Sequence, residues 1–520
     1  MHTPPEQLVE QFFTEYSQKG AHDSELIARL TKLALSQNEA IAETATRAIF
    51  ASLVERLADS FEPGAARLYN RVFAQIIQLC RSDSRAATLD RELTGFGLLN
   101  EEDLLGRAEG LSRVPRIVAS DLEHSLKRVI VLSRVTLGAD VAITSVILER
   151  IKLLYPSAEL VLVGGKKTSE LFGGDRRLQF KHIDYRRGGT LIERLRTWID
   201  LLSSVRELTL RLGDGEFLVI DPDTRLTQLG LLPVTKIGDR GQGTGDRGQG
   251  TANGVQSSES RVSGSETNGG ELPNYLFFPS REYGASTSLS LSELTSAWLD
   301  VIFGVSEPTL PRVSLKREDI EVARRLTVKL RGDRSRRLVA INFGVGENPL
   351  KRVGGEFETS LIARLCEEDS AVILDKGLGA QEAARIDNLI AETTRSESQR
   401  RCLRVVNLQE QGPIDQTCAT NDVDVLIWNG RVGMLAALIA ESDLYIGYDS
   451  AGQHIAAALE VPSIDVFAGS SSPRMLDRWK PTSKAETRVI AIDSSAKAPN
   501  AEDLTAKVLL SANQMLKKAE

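Results

Sequence analysis

The sequence predicts an α/β protein: two Rossmann-like domains in tandem, preceded by an all-α helical module. Three observations carry this expectation. Apolar residues recur at helical spacing from Leu8 to about Ala108. Short β-branched runs then alternate with amphipathic stretches of helical length, the pattern of a parallel sheet covered on both faces. The alternation begins twice, at Arg128 and at Leu338, on either side of a proline-flanked boundary at 307–311. A chain of 520 residues is long enough for about three such units.

In the module, assigned to 1–115, Leu8, Val9, Phe12, Phe13 and Tyr16, then Leu26, Ile27, Leu30 and Leu33, line helical faces. Stretches 39–57 and 65–80 flank the breaker Phe61-Glu62-Pro63-Gly64, as antiparallel helices with short connections require. The module holds no chemical motif, so its expected role is a surface for a protein partner or for self-association. The first α/β domain, 126–304, runs through the strand RVIVLS, a turn at Gly138, a helix over 141–154, the strand AELVLVGG, a helix over 191–205 and the strand FLVID.

Residues 235–273 break the pattern. They are rich in Gly, Ser, Asn and Gln and repeat GDRGQGT in tandem, and the strand YLFFPS resumes at Tyr275. They read as a disordered insertion within one domain. A helix over 291–303 closes the domain. The second, 317–482, alternates LVAINFG, a helix over 358–367, AVILDKG, a helix over 380–391, LRVVN, a helix over 434–440, DLYIGY, a helix over 453–459 and SIDVF. A last helix covers 500–520. Ligands in such sheets bind outside the carboxyl ends of the strands, so a cleft between the two sheets is the expected site.

Composition narrows the function. Lys plus Arg number 64 against 71 Asp plus Glu, and a net charge of −7 repels a polyanion, so nucleic acid is not an expected partner. The start of the chain lacks the basic and apolar pattern of a secretory leader, and no apolar run reaches about 18 residues, which makes the cytoplasm the expected location. Cys80, Cys366, Cys402 and Cys418 are widely separated, with neither disulfide nor zinc spacing.

Four constellations lie at predicted strand ends. In DLYIGYDSAGQHIAAALEVP, Asp449 and Ser450 stand at a helix N-cap, Gly452 allows close approach, and His454 lies one turn on. A helix N-terminus there suits a phosphate or a sugar hydroxyl, although capping and core packing also account for these residue types. In INFGVGENPLKRV, Gly344 and Gly346 free backbone amides, while Lys351 and Arg352 can neutralise a diphosphate or form a solvated face. Glu382 opens a helix after a Gly turn, where it can accept from a ribose or complement the helix dipole. In SRVTLGADVAITSVI, Arg134 precedes a Gly turn, and Asp140 either caps the helix or faces the cleft. A basic stretch from Lys166 and Lys167 to Arg187 falls on loops after the second strand; it is either a solvated face or a seat for an anionic acceptor. Asp221-Pro-Asp223 is assigned no metal.

The pattern D-S-x-x-x-H-x-A-A-A-L-x-V-P, preceded by LIAESDLYIG, resembles the signature of glycosyltransferase family 9, the heptosyltransferase-like enzymes. The resemblance spans roughly 128–481. It implies GT-B architecture, two facing Rossmann-like domains, and inverting transfer of a sugar, possibly a heptose, from a nucleotide diphosphate donor to a saccharide or lipid-linked acceptor. Such a reaction belongs to cell-envelope or lipopolysaccharide-type synthesis, with peripheral contact at the inner membrane, no metal and no cofactor besides the donor. It assigns the donor to Gly344, Gly346, Lys351, Arg352, Glu382, Asp449, Ser450, Gly452 and His454, the acceptor to Arg134, Lys166 and Lys167, and the base to Asp140. The chain departs from the family at Ala451, where Gly is usual, and at Ala139, inserted before Asp140. A nucleotide-sugar epimerase and a non-catalytic scaffold therefore stand as alternatives.

Overall fold

The computed structural model describes residues 3–20, 22–111, 125–235, 274–332, 336–346, 348–377, 379–396, 403–409, 423–469, 472–492 and 500–518. The Gly-rich insertion, apart from its first residue, and Cys402 and Cys418 lie outside them. No helix among the described residues is long and apolar enough to cross a membrane.

Helices fill the first 111 residues. Asp23 caps the helix Ser24–Ala34 by accepting from the amides of Glu25 and Leu26, and Asn38 caps Glu39–Arg47 through the amide of Ile41. The longest of them, Ala65–Arg81, buries Leu68, Val72, Phe73, Ile76 and Ile77 along one stripe. That stripe belongs to a core shared with the first sheet.

The first sheet contains β1 (Arg128–Leu132), β2 (Glu159–Gly164), β3 (Leu178–His182), β4 (Phe217–Asp221) and β5 (Tyr275–Phe277) in the order β3-β2-β1-β4-β5, all parallel. Its alternating side chains divide between two cores. Ile130, Leu132, Val161, Val163 and Val219 face the module and the helix Leu191–Thr209. Val129, Val131, Leu160, Leu162, Leu218 and Ile220 face the other way.

The second sheet is also parallel: β6 (Arg337–Asn342), β7 (Ser370–Asp375), β8 (Val405–Gln409), β9 (Val425–Asn429), β10 (Leu444–Tyr448), β11 (Ser463–Phe467) and β12 (Thr487–Ala491), in the order β12-β11-β10-β6-β7-β9-β8. On one face, Leu338, Ala340, Ile373 and Leu426 join the core that reaches the first sheet. On the other, Val339, Ile341, Val372, Ile427 and Ile446 pack with Val508, Ala512 and Met515 of the helix Ala501–Lys518, which belongs to this unit rather than standing apart. β3, β9, β12 and the helix Arg317–Arg331 are additions to the sequence reading.

The expected boundary at 307–311 is clamped. Arg150, fully buried, pairs with Asp300 at 2.8 Å and donates to the Thr309 hydroxyl at 2.9 Å and to the carbonyls of Val305 and Glu307.

Candidate functional site

The strand order of the second sheet reverses between β6 and β10, and crevices for ligands open at such switch points. Both strands end there in chemistry. After β6, Asn342 accepts from the Gly344 amide at 2.7 Å, Gly346 turns with φ +65°, and the 3₁₀ turn Pro349–Lys351 follows. After β10 come Asp449 and the helix Ala451–Ala458. Lys351 Nζ stands 2.6 Å from Asp449 Oδ2. Burial disfavours the ammonium, yet the Asp449 carboxylate outweighs it and holds the Lys351 pKa above its ordinary value. Asp449 is 5% exposed and accepts from Gln453 Nε2 at 3.0 Å through its other oxygen; Gln453 Oε1 is buried without a hydrogen-bond partner.

Several expected residues are placed differently. Gly452 accommodates the protein itself: a Cβ there would stand 2.1 Å from the hydroxyl of Tyr445, which is fully buried. Gly452→Ala should therefore cost about 1–3 kcal/mol in urea denaturation, the range for an overpacked core, and Tyr445→Phe should restore part of it. His454 lies at the junction of the two units. Its ring is edge-on to Trp479 at 5.7 Å and borders Gly138, and burial drives its pKa down to about 4 despite Asp449. Glu382 is engaged by Arg352 at 2.5 Å and Arg385 at 3.2 Å, and Arg385 also pairs with Glu358, so its carboxylate closes an ion network instead of facing an open crevice.

In the first unit, Asp140 points inward. Its oxygens accept from the Ser133 hydroxyl and the Arg134 amide, each at 2.7 Å, from the Thr144 hydroxyl at 2.9 Å and from the Thr168 hydroxyl at 3.3 Å. With 1% exposure it ties β1 to two helices, where its reading as base expects a carboxylate standing open at the cleft. Arg134 is spent likewise: it donates to the carbonyls of Pro222 and Asp223 and to the Ser280 hydroxyl, and burial lowers its pKa to about 10, so it is not open to an acceptor. Asp221 accepts from Thr224, Thr227 and Tyr275, and Asp223 pairs with Arg281 at 2.6 Å. Lys166 and Lys167 begin the helix Lys166–Phe172 and are exposed; they are not on a loop, and Lys181 lies in β3.

Sequence reasoning missed a contribution from the module. Residues 55–61 reach the strand ends of both sheets: Arg281 Nε donates to the Ala58 carbonyl at 2.9 Å, Arg225 pairs with Glu55 at 3.3 Å, and Ser472 Oγ donates to the Ser60 carbonyl at 3.3 Å. The breaker at 61–64 marked a chain reversal there, but nothing local showed its destination.

Two parallel sheets meeting at their carboxyl ends, with a cation and a carboxylate at the switch point of the second, define a GT-B-like α/β protein. Residues 422–508, which include Asp449 and the helix after it, match the family model Glycosyltransferase family 9 (heptosyltransferase). No curated protein matches. Among solved structures, a glycosyl transferase family 9 protein from Veillonella parvula DSM 2008 is similar at 15% identity over 76% of this chain and 99% of that one, with a TM-score of 0.49. ADP-heptose lps heptosyltransferase II of E. coli is similar at 14% identity, 75% and 99% coverage and a TM-score of 0.45. Anabaena Alr3699/HepE, solved with UDP and glucose, gives 12%, 76%, 99% and 0.31.

Proposed function

We propose that the chain transfers a sugar from a nucleotide diphosphate donor to an acceptor hydroxyl, and that the donor diphosphate is held between Lys351 and the N-terminus of the helix Ala451–Ala458. The observation that carries this is the Lys351–Asp449 pair at the β6/β10 switch point, whose acidic member lies in the segment matching glycosyltransferase family 9. A buried ammonium beside a helix N-terminus stabilises the charge that grows on a leaving diphosphate as the bond to the anomeric carbon breaks. The acceptor hydroxyl oxygen would attack from the opposite face, with inversion, releasing its proton to solvent as the nucleoside diphosphate leaves. Asp140, with its four hydrogen bonds, is not the proton acceptor in this reading. A heptose donor follows the family's description, and a saccharide or lipid-linked acceptor of envelope synthesis, met in the cytoplasm or at the inner-membrane surface, is the corresponding substrate class.

Calorimetric titration of ADP, UDP and GDP tests the donor site. The parent should bind at least one of them, and Lys351→Ala should weaken that binding by about 10- to 150-fold, as removal of a charged hydrogen bond worth roughly 1.5–3 kcal/mol requires. Equal affinity in the variant would place the diphosphate elsewhere.

A further inference from the structure

The reading of Lys351 as a diphosphate ligand raises the question of what stands beside it in the free protein. Resting on that reading, we propose that residues 55–64 of the helical module form an anionic plug, which competes with the donor diphosphate for the cations of the cleft and must withdraw before nucleotide binds.

The position of this corner is set by contacts with both units. Glu55 pairs with Arg225, which follows β4, and the Ala58 carbonyl accepts from Arg281, which follows β5. On the opposite side, the carbonyls of Ser60 and Phe61 accept from Ser472 at 3.3 Å and Arg474 at 3.4 Å, both after β11. The Phe61 ring packs edge-on against Trp479 at 6.0 Å and is 3% exposed. One short segment therefore bridges the two sheets at the strand ends where a ligand of this fold belongs.

Its charge matches the task. Asp59 and Glu55 both act on Lys351, adding to Asp449, and both also act on Arg225; Asp59 further acts on Arg134. Carboxylates thus supply, from within the chain, the negative charge that a diphosphate would bring. A diphosphate entering with the corner in place would meet Asp59, Glu55 and Asp449 together, so the two anions exclude one another. By linkage, whatever the plug gains from these cations is lost from the apparent affinity for nucleotide.

The backbone is suited to release. Phe61 has φ +52°, a left-handed conformation that a residue with a Cβ adopts only under the hold of its surroundings. Gly64 follows with φ +81° and completes the reversal. The contacts on Phe61 therefore sustain a conformation that relaxes once they part.

The test uses the full chain with ADP as probe, or UDP or GDP if the parent binds that one instead. Asp59→Asn, the double variant Glu55→Gln/Asp59→Asn and Phe61→Ala are titrated by calorimetry, after urea unfolding has shown each to be folded. Affinity should rise about tenfold or more in the double variant and in Phe61→Ala, and less in the conservative Asp59→Asn. Amide hydrogen exchange over 55–64 in the parent should accelerate at saturating nucleotide. Affinity that is unchanged or weaker in these variants, with exchange at 55–64 unchanged or slowed by nucleotide, would overturn the plug and make the corner a wall of the site. The two readings fail separately: if Lys351→Ala weakens binding while the corner variants leave it unchanged, only the plug falls, and if neither the parent nor the double variant binds any nucleoside diphosphate, the donor site falls and the plug with it.

Discussion

Asp465→Asn should stabilise the chain by about 3–4 kcal/mol at pH 8. Asp465 is fully buried on β11; its Oδ2 accepts from Ser463 at 2.8 Å, while Oδ1 has no hydrogen-bond partner. Burial, aided by the charge of Asp449, pushes its pKa up from 3.8 to about 7. Between pH 4 and 7 the native state keeps a proton that the unfolded chain has released, so stability falls by about 1.4 kcal/mol per pH unit and levels off above 7. His454 has the opposite sign: its pKa is lowered from 6.5 to about 4, so the unfolded chain takes up a proton that the native state refuses, and stability falls as pH drops through that window. In the parent the two slopes oppose one another between about pH 4 and 6.5. Urea unfolding of the parent and of Asp465→Asn across pH should give a stability difference that grows from about pH 4 to 7 and is constant above. A variant whose profile coincides with the parent's would show that Asp465 is ionised in the native state.

Asp140→Ala should cost about 3–5 kcal/mol, which equilibrium unfolding in urea measures. The carboxylate accepts from four donors, and the Arg134 amide cannot rotate to another partner as the hydroxyls of Ser133, Thr144 and Thr168 can. An orphaned buried donor costs roughly 1–3 kcal/mol, so losing two or three of these contacts accounts for the total. Asp140→Asn keeps one acceptor oxygen and should lie between Ala and the parent. Binding of a nucleoside diphosphate at Lys351 should be unaltered in Asp140→Asn. An Asp140→Ala chain as stable as the parent would show that the carboxylate has no such anchoring role.

The contrast between Asp140 and Lys351 shows what can be read from a sequence. The strand ends were legible because RVIVL, LVAIN and LYIGY are continuous apolar runs followed by Gly, Asp or Ser. The edge strands LQFKH and TRVIA were not, since their polar residues face solvent at the margins of the sheets. Nor was the helix Arg317–Arg331, whose apolar stripe is crowded by charges, whereas VLIWN in β9 is a continuous apolar run of strand length. Lys351 and Asp449 each appeared at a strand end, but their meeting depends on β10 lying beside β6, which is a matter of strand order. Asp140 differs: Ser133, Arg134 and Thr144, three of its four partners, lie within seven residues of it, and only Thr168 is brought in from another helix. Gly452 was visible as a need for space, but not that a tyrosine of the preceding strand fills it.

The pairing of β6 with β10 also sets a schedule for synthesis. β6 can join β7 soon after both leave the ribosome, but its other edge stays open until β10 arrives, about a hundred residues later. Lys351 gains its carboxylate neighbour only at that stage, and Ser472, which closes on Ser60, lies 412 positions from it along the chain. Contacts of such separation form late because the intervening chain must first be ordered. A nascent chain therefore holds this lysine without its acid while about a hundred further residues are made, and the corner at Ser60 waits for nearly the last strand before the assembly closes.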